Sequence, residues 1–120
     1  MGYYKDLEIW KLSVKIAKEV YKMVETFPKT ELYSLVDQMK RASVSIVSNI
    51  AEWSGRSSIP DNIRFLYMSQ GSSVELEAQI LLSQELWFVD WKETEQVLSD
   101  ITVLQKMLYN FIQSKKKMVE

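Results

Sequence analysis

The chain has 120 residues, of which 47% are hydrophobic and 26% charged, with a formal net charge of −1 and no cysteine or histidine. This length and composition fit one globular domain with a modest core. The missing residue types exclude disulfides, thiol nucleophiles and imidazole acid–base chemistry, and they restrict a metal site to carboxylate ligands for a hard ion. The near-neutral charge confines any nucleic-acid binding to a local patch.

The N-terminal segment has neither the apolar core nor the small-residue cleavage site of a signal peptide. No uncharged apolar run approaches the roughly 18 residues that a membrane span requires. The absence of cysteine fits a reducing compartment. We therefore expect a cytoplasmic protein without membrane contact.

The first half of the chain contains two helical patterns. Apolar residues recur every three or four positions from about residue 6 to residue 26, and the FPKTE sequence at 27–31 interrupts them. A second helix is predicted from there to about Trp53. The SGRSS sequence at 54–58 ends it, and Gly55 is placed to cap its C-terminus.

The second half contains two further helices. The third is predicted to begin after an N-cap at Ser58 and to extend to about Trp87. The fourth follows Asp90, which has capping-box spacing to Glu93, although such a box normally begins with serine or threonine. We expect residues 116–120 to form a frayed basic tail.

Short connections place consecutive helices antiparallel, so the sequence predicts an all-α, antiparallel up-down-up-down four-helix bundle over residues 4–115. The apolar faces of helices 1 and 4 are wider than the core of one bundle requires. Because monomers seldom leave large apolar patches in water, this excess favours a homo-oligomer. The alternative is a tight core with a few half-exposed rings.

A polar stripe runs along the second helix beside its apolar face, not opposite to it. At about 100° per residue its members fall in a sector of about 80°. The third helix has a matching row, and an antiparallel hairpin about residue 58 pairs the two rows. We interpret the two rows as a polar seam that fixes helix register and adds little net stability, because desolvation offsets much of the Coulomb gain. The seam consists of Gln38, Arg41, Ser45, Asn49, Glu52 and Arg56 with Arg64, Ser72, Glu75 and Gln79.

The hairpin predicts specific contacts across this seam. Arg41 is expected to meet Glu75, and Ser45 to meet Ser72. Small side chains, including Gly71, would let the two backbones approach closely. The remaining predicted pairs are Gln38 with Gln79 and Glu52 with Arg64.

A catalytic role for the seam is less well supported. Its serines have no histidine base, and the Glu-x-x-His motif of di-metal bundles is absent. The GRSS sequence lacks the strand and the Lys-Ser/Thr ending of a phosphate loop. We expect no catalytic residue, metal site or cofactor. An enzyme that uses Glu52 and Glu75 with a hard metal ion is the third-ranked hypothesis.

Four lysines lie on one face of the first helix at spacings of four, three and four. Symmetric repetition in an oligomer would turn this weak patch into a multivalent phosphate-binding surface. Against this, lysine is the usual residue of a solvated helix face, and nearby glutamates dilute the field. The candidate residues for binding RNA or DNA are Lys11, Lys15, Lys18 and Lys22.

Three stretches carry the most distinctive residues: LEIWKLSVKIAKEVY (7–21), FPKTELYSLVDQMKRASVSIVSNIAEWSGR (27–56) and RFLYMSQGSSVELEAQILL (64–82). Together they resemble the S23-type four-helix bundle proteins, which intervening sequences within bacterial 23S rRNA genes encode. The resemblance implies a homopentamer without established enzymatic activity. In that family glycine usually follows the Asn-Ile-Ala-Glu run, where this chain has Trp53.

The chain is also similar to the accessory proteins of diversity-generating retroelements, pentameric bundles that bind nucleic acid and a reverse transcriptase. By analogy, this similarity implies a nucleic-acid role. The leading hypothesis is a non-catalytic, pentameric homo-oligomer that acts as a scaffold or nucleic-acid-binding accessory protein. The alternative is a protein–protein interaction module that does not contact nucleic acid.

Overall fold

The computed structural model describes residues 4–55 and 59–119. Four α-helices dominate this part of the chain, and each packs on two neighbours: α1 and α3 both contact α2 and α4, so that α1 and α3 lie on a diagonal. The predicted all-α, antiparallel four-helix bundle is confirmed. The helices are α1 (Glu8–Met23), α2 (Leu35–Gly55), α3 (Ile59–Glu85) and α4 (Trp91–Val119), with 3-10 turns at Tyr4–Asp6, Val24–Thr26 and Lys29–Glu31.

Aliphatic side chains from all four helices form the core of the bundle. Ile16 of α1, Ile46 of α2, Leu76 of α3 and Leu104 of α4 have no exposed surface. Burying one such side chain contributes roughly 1.5–3 kcal/mol, so the core decides which face of each helix points inward. Within residues 4–55 and 59–119, no helix combines the length and apolarity needed to cross a membrane.

The start of α4 and the start of α3 were both predicted to carry N-caps. The Glu93 N–H donates to Asp90 Oδ1 over 2.8 Å, which confirms the cap on α4. This bond satisfies one of the free N–H groups in the first turn of the helix. The cap predicted at Ser58 lies outside the described residues.

The end of α3 is a Schellman motif that the sequence did not predict. Phe88 N–H donates to the Ser83 carbonyl and Trp87 N–H donates to the Gln84 carbonyl, each over 3.0 Å. Trp87 adopts a φ of 62°, a left-handed conformation that usually falls to glycine. The helix therefore ends at Glu85, before the predicted position.

Two other helix ends differ from what the sequence predicted. Gly55 is the last residue of α2. It does not form the left-handed cap that was expected, because no described glycine has a positive φ. The tail predicted to fray continues α4 as far as Val119. Lys116 Nζ lies 5.5 Å from the Tyr67 ring, and lysines in a last turn complement the helix dipole, so both effects favour the longer helix.

Candidate interaction surfaces

The polar seam contains direct contacts between α2 and α3. Ser45 Oγ and Ser72 Oγ are hydrogen bonded at 2.9 Å, which is the contact that the predicted register requires. Ser69 Oγ donates to the Ile46 carbonyl of α2 over 3.2 Å. Small side chains therefore bring the two helices close together along this line.

Arg41 pairs within its own helix and not with Glu75. Its Nε donates to Asp37 Oδ2 over 2.9 Å, although Arg41 and Glu75 line the same shallow depression. A partner four residues away on the same helix face is always within reach of an arginine side chain. The predicted Arg41–Glu75 ion pair is therefore wrong.

The amides of the seam act locally. Asn49 Nδ2 donates to the Ser45 carbonyl over 2.8 Å and also contacts Ser45 Oγ at 3.1 Å. Gln79 is buried, and within the described chain its Oε1 has no hydrogen-bond partner, so the exposed Gln38 does not donate a hydrogen bond to that oxygen. Arg64 lies over the Phe65 ring at 4.6 Å. Arg56 lies outside the described residues.

Glu52 and Glu75 do not share a site. The Ser45–Ser72 contact places Glu75 opposite the first third of α2, about ten residues from Glu52. At 1.5 Å per residue, this separation is about 15 Å along the helix axis. One metal ion cannot bind both carboxylates. In the described ranges, no three acidic side chains gather closely enough to hold a metal ion.

Double-mutant cycles on unfolding free energy are expected to separate the two predicted pairs. Alanine substitutions at Ser45 and Ser72 should show a coupling of about 0.5–1 kcal/mol, because they remove one shared hydrogen bond. The Arg41 and Glu75 pair should show a coupling near zero. A coupling above about 0.5 kcal/mol between Arg41 and Glu75 in urea denaturation would contradict the observed arrangement.

The α1 lysines lie on one exposed face, as their spacing predicted, but two of them have acidic partners. Lys11 Nζ is 3.7 Å from Glu8, and Lys15 Nζ is 2.6 Å from Asp100 Oδ2 of α4. The hydrogen bond to Asp100 raises the pKa of Lys15. These contacts reduce the charge that the two lysines offer to phosphate.

Lys18 and Lys22 have no ion-pair partner among the described residues, and they border an apolar groove between α1 and α2. We call this the α1–α2 groove. It encloses about 670 Å³, and Lys40 Nζ lies 5.0 Å from the ring of Tyr21, a residue that lines it. One acidic residue, Glu25, also lines the groove. The remaining lining residues are Val14, Ala17, Val44 and Val47.

The outward side of α3 is apolar, a feature that we did not predict from the sequence. An apolar excess had been predicted for helices 1 and 4. On α4 the described chain does expose large apolar side chains, namely Trp91, Val103, Tyr109 and Met118. On α1 only Tyr21 is left exposed among the described large apolar residues, because the others pack against the core. A helical-wheel projection of the third helix would have revealed this surface, because apolar residues occur on all sides of that helix. The α3 outer face consists of Tyr67, Met68, Gly71, Val74, Ala78, Leu81 and Leu82.

Acidic residues border the α3 outer face. At about 100° per residue, Glu75 falls near one edge of the face and Glu77 near the other. Glu85 lies at its C-terminal end and is exposed. The surface is therefore an apolar stripe with an acidic border along its middle and C-terminal part, while Lys116 of α4 lies over Tyr67 at its N-terminal end.

Gly71 lies in the middle of the α3 outer face, where the chain itself does not require glycine. A Cβ at this position would meet no atom within 4 Å, and the residue has no positive φ. The prediction that Gly71 lets α2 approach α3 is wrong, because the position faces outward. Glycine in a helix interior costs roughly 1 kcal/mol relative to alanine.

A carboxyl pair bridges α1 and α4 beside Lys15. Burial, with a further effect of the neighbouring Asp100 carboxylate, raises the pKa of Glu19 to about 7. Burial alone would raise the pKa of Asp100 too, but hydrogen bonds from Lys15, Glu19 and Gln96 outweigh it and lower that pKa. Gln96 Nε2 donates to Asp100 Oδ1 over 3.0 Å. Asp100 is therefore the charged member of the pair.

This pair predicts that stability decreases as the pH rises. The folded state binds a proton at Glu19 more tightly than the unfolded chain, so its contribution is complete below pH 4.5 and is lost as the pH rises to about 7. Glu19→Gln should remove this dependence and stabilise the protein at pH 8. Because 23% of the side chain is exposed, solvent screening limits the gain to about 1 kcal/mol.

Urea denaturation of both proteins at about pH 4 and about pH 8 measures this effect. The two should have equal stability at the lower pH and should differ at the higher one. A Glu19→Gln protein that is less stable than the wild type at pH 8 would show that the carboxylate is charged and favourable in the fold. Glu8→Gln is the matched control, because Glu8 also pairs with a lysine of α1 but its side chain is 82% exposed.

Comparisons with known proteins agree with the fold. The model of the family described as 23S rRNA-intervening sequence protein matches residues 5–110. A crystal structure of a protein with unknown function from the S23 ribosomal protein family of Bacteroides thetaiotaomicron VPI-5482 has a TM-score of 0.78 and 22% identity, covering 87% of this chain and 97% of that one. No curated protein has a significant match. The chain belongs to the 23S rRNA-intervening sequence protein family.

Proposed function

We propose that the protein is a homo-oligomeric helical scaffold that assembles through the α3 outer face. The observation that carries the proposal is the exposure of five large apolar side chains on one helix: Tyr67, Met68, Val74, Leu81 and Leu82 are each more than 40% exposed. Monomers seldom leave so continuous an apolar surface in water. A helix that is apolar on all sides is characteristic of one that is buried on all sides.

A cyclic pentamer is the proposed state, in keeping with what the resemblance to S23-type proteins implies. Cyclic assembly buries the same face on every protomer and leaves no unpaired copy. Such an assembly would present five copies of each remaining surface. It would act as a scaffold without needing a catalytic group.

Light scattering coupled to size-exclusion chromatography tests the assembly. The expected mass is about 70 kDa, five times the 14.1 kDa of one chain. Leu81→Lys should reduce it to the mass of a monomer. Val103→Lys is the matched control, because Val103 is equally exposed (47% against 43%) but lies on α4. A wild-type monomer at micromolar concentration would overturn the proposal.

Nucleic-acid binding through α1 is the second candidate function. The observation that favours it is the common exposed face of Lys11, Lys15, Lys18 and Lys22, which an oligomer would repeat. Phosphate binding strengthens with each contact and weakens steeply with salt. The acidic partners of Lys11 and Lys15 are the reason it ranks second.

Gel shifts with RNA and DNA at low salt test this second candidate. Changing all four lysines to glutamine should abolish binding, whereas Lys92→Gln with Lys106→Gln on α4 should preserve it. Circular dichroism establishes that each variant is folded. Binding unchanged by the four substitutions would exclude this patch. A wild-type protein that shifts neither nucleic acid would favour a scaffold that contacts proteins alone.

A further inference from the structure

We infer that the α3 outer face of one protomer docks into the α1–α2 groove of the next copy. This docking presupposes the proposed homo-oligomer and identifies its two surfaces. The occupant of the groove is thus a second copy of this chain. The two surfaces are complementary in form, since one is the convex side of a helix and the other is a depression between two helices.

Their charges are complementary as well. Lys18 and Lys22 border the groove on the α1 side, and Lys40 lies over Tyr21, one of the groove's lining residues, on the α2 side. These three cations outnumber the one acidic lining residue. The α3 outer face has the opposite border, formed by Glu75 and Glu77. An apolar centre with opposite charges at the rim is the usual anatomy of a specific protein interface.

The α3 outer face is longer than the α1–α2 groove by about one helical turn. From Val14 to Glu25, the α1 side of the groove extends about 17 Å at 1.5 Å per residue. From Tyr67 to Leu82, the α3 outer face extends about 22 Å. The groove therefore accepts about three turns of the docked helix.

Gly71 supplies an independent observation. It lies at the centre of the face, costs helix stability, and is required by no contact within its own chain. A glycine at such a position lets a second backbone approach closely. Docking against a neighbouring protomer explains why glycine, and not a residue that favours helix, occupies this position.

The topology makes the contact heterologous. Because α1 and α3 lie on a diagonal of the bundle, the groove and the face point in different directions. Each protomer then uses its face on one neighbour and its groove on the other, and repeated contacts of this kind form a ring when the rotation between copies closes, as the proposed pentamer requires. Lys18 and Lys22 would contact glutamates of the next copy, which leaves Lys11 and Lys15 at the edge.

Charge reversal tests the docking. Lys18→Glu with Lys22→Glu makes the groove acidic, and Glu75→Lys with Glu77→Lys makes the face basic. Each pair alone should reduce the mass in light scattering from about 70 kDa to the 14.1 kDa of the monomer. All four changes in one chain restore opposite charges and should restore the wild-type mass. Lys106→Glu with Glu95→Lys, both exposed on α4, is the matched control and should leave the mass unchanged.

The outcomes separate the docking from the proposed assembly. A monomeric wild type overturns the proposed oligomer and the docking with it. An oligomeric wild type that neither pair disrupts overturns the docking alone. If the α3 substitutions disrupt the assembly and the groove substitutions do not, α3 packs against a surface other than the groove. A fourfold variant that stays monomeric leads to the same conclusion. Rescue by the fourfold variant supports the docking.

Discussion

Replacing Gly71 with leucine is expected to stabilise the folded protomer and to dissociate the assembly. A Cβ at this position meets no atom of its own chain within 4 Å, so the leucine can project outward without strain. Leucine in place of glycine in an exposed helix interior should stabilise the helix by about 0.8 kcal/mol. In the assembly the same side chain would occupy the space of the adjoining protomer. Overpacking of this kind costs about 1–3 kcal/mol, which corresponds to a roughly 5- to 150-fold loss of affinity.

Two measurements separate these opposite effects. Thermal unfolding is compared at a concentration where both proteins are monomeric, since assembly adds its own concentration-dependent stability. Light scattering over a dilution series then gives the loss of affinity. Gly71→Ala is the control, because it provides a similar gain in helix stability with one methyl group and should weaken assembly less. A leucine variant that assembles like the wild type would place the centre of the α3 outer face outside the interface.

The architecture could be predicted from the sequence because the helical period and the breaks are strong, independent signals. Helix ends were harder to predict, since backbone geometry decides them. The chain tightens into a 3-10 turn at Val24–Thr26, which the apolar period does not distinguish from a longer helix. Trp87 adopts the left-handed conformation without being glycine, so the end of α3 had no sequence signal.

Side-chain contacts were predictable where the groups are short. Ser45 and Ser72 can reach each other only if the register is correct, and their hydrogen bond followed from the pattern of the two helices. The long side chain of Arg41 had several acids within reach and selected one on its own helix. Contacts between elements far apart in sequence, such as Lys15 with Asp100, depend on how the core positions α1 against α4.

The second large effect is expected at Ser69, where α2 and α3 are in close contact. The side chain has no exposed surface, and its Oγ lies 3.2 Å from the Ile46 carbonyl oxygen of α2. Ser69→Leu inserts three additional carbon atoms against this backbone and removes the hydrogen bond. Overpacking costs about 1–3 kcal/mol and the lost bond about 1 kcal/mol. We therefore expect a total destabilisation of about 2–4 kcal/mol.

Urea denaturation of two further variants separates these contributions. Ser69→Ala removes the hydrogen bond without adding volume and should cost about 1 kcal/mol. Ser72→Leu adds the same volume at the half-buried edge of the seam, where the side chain can turn toward solvent, and should cost less than Ser69→Leu. If Ser69→Leu were as stable as Ser69→Ala, the helices could separate without loss. Close approach at Ser69 would then not determine how α2 packs on α3.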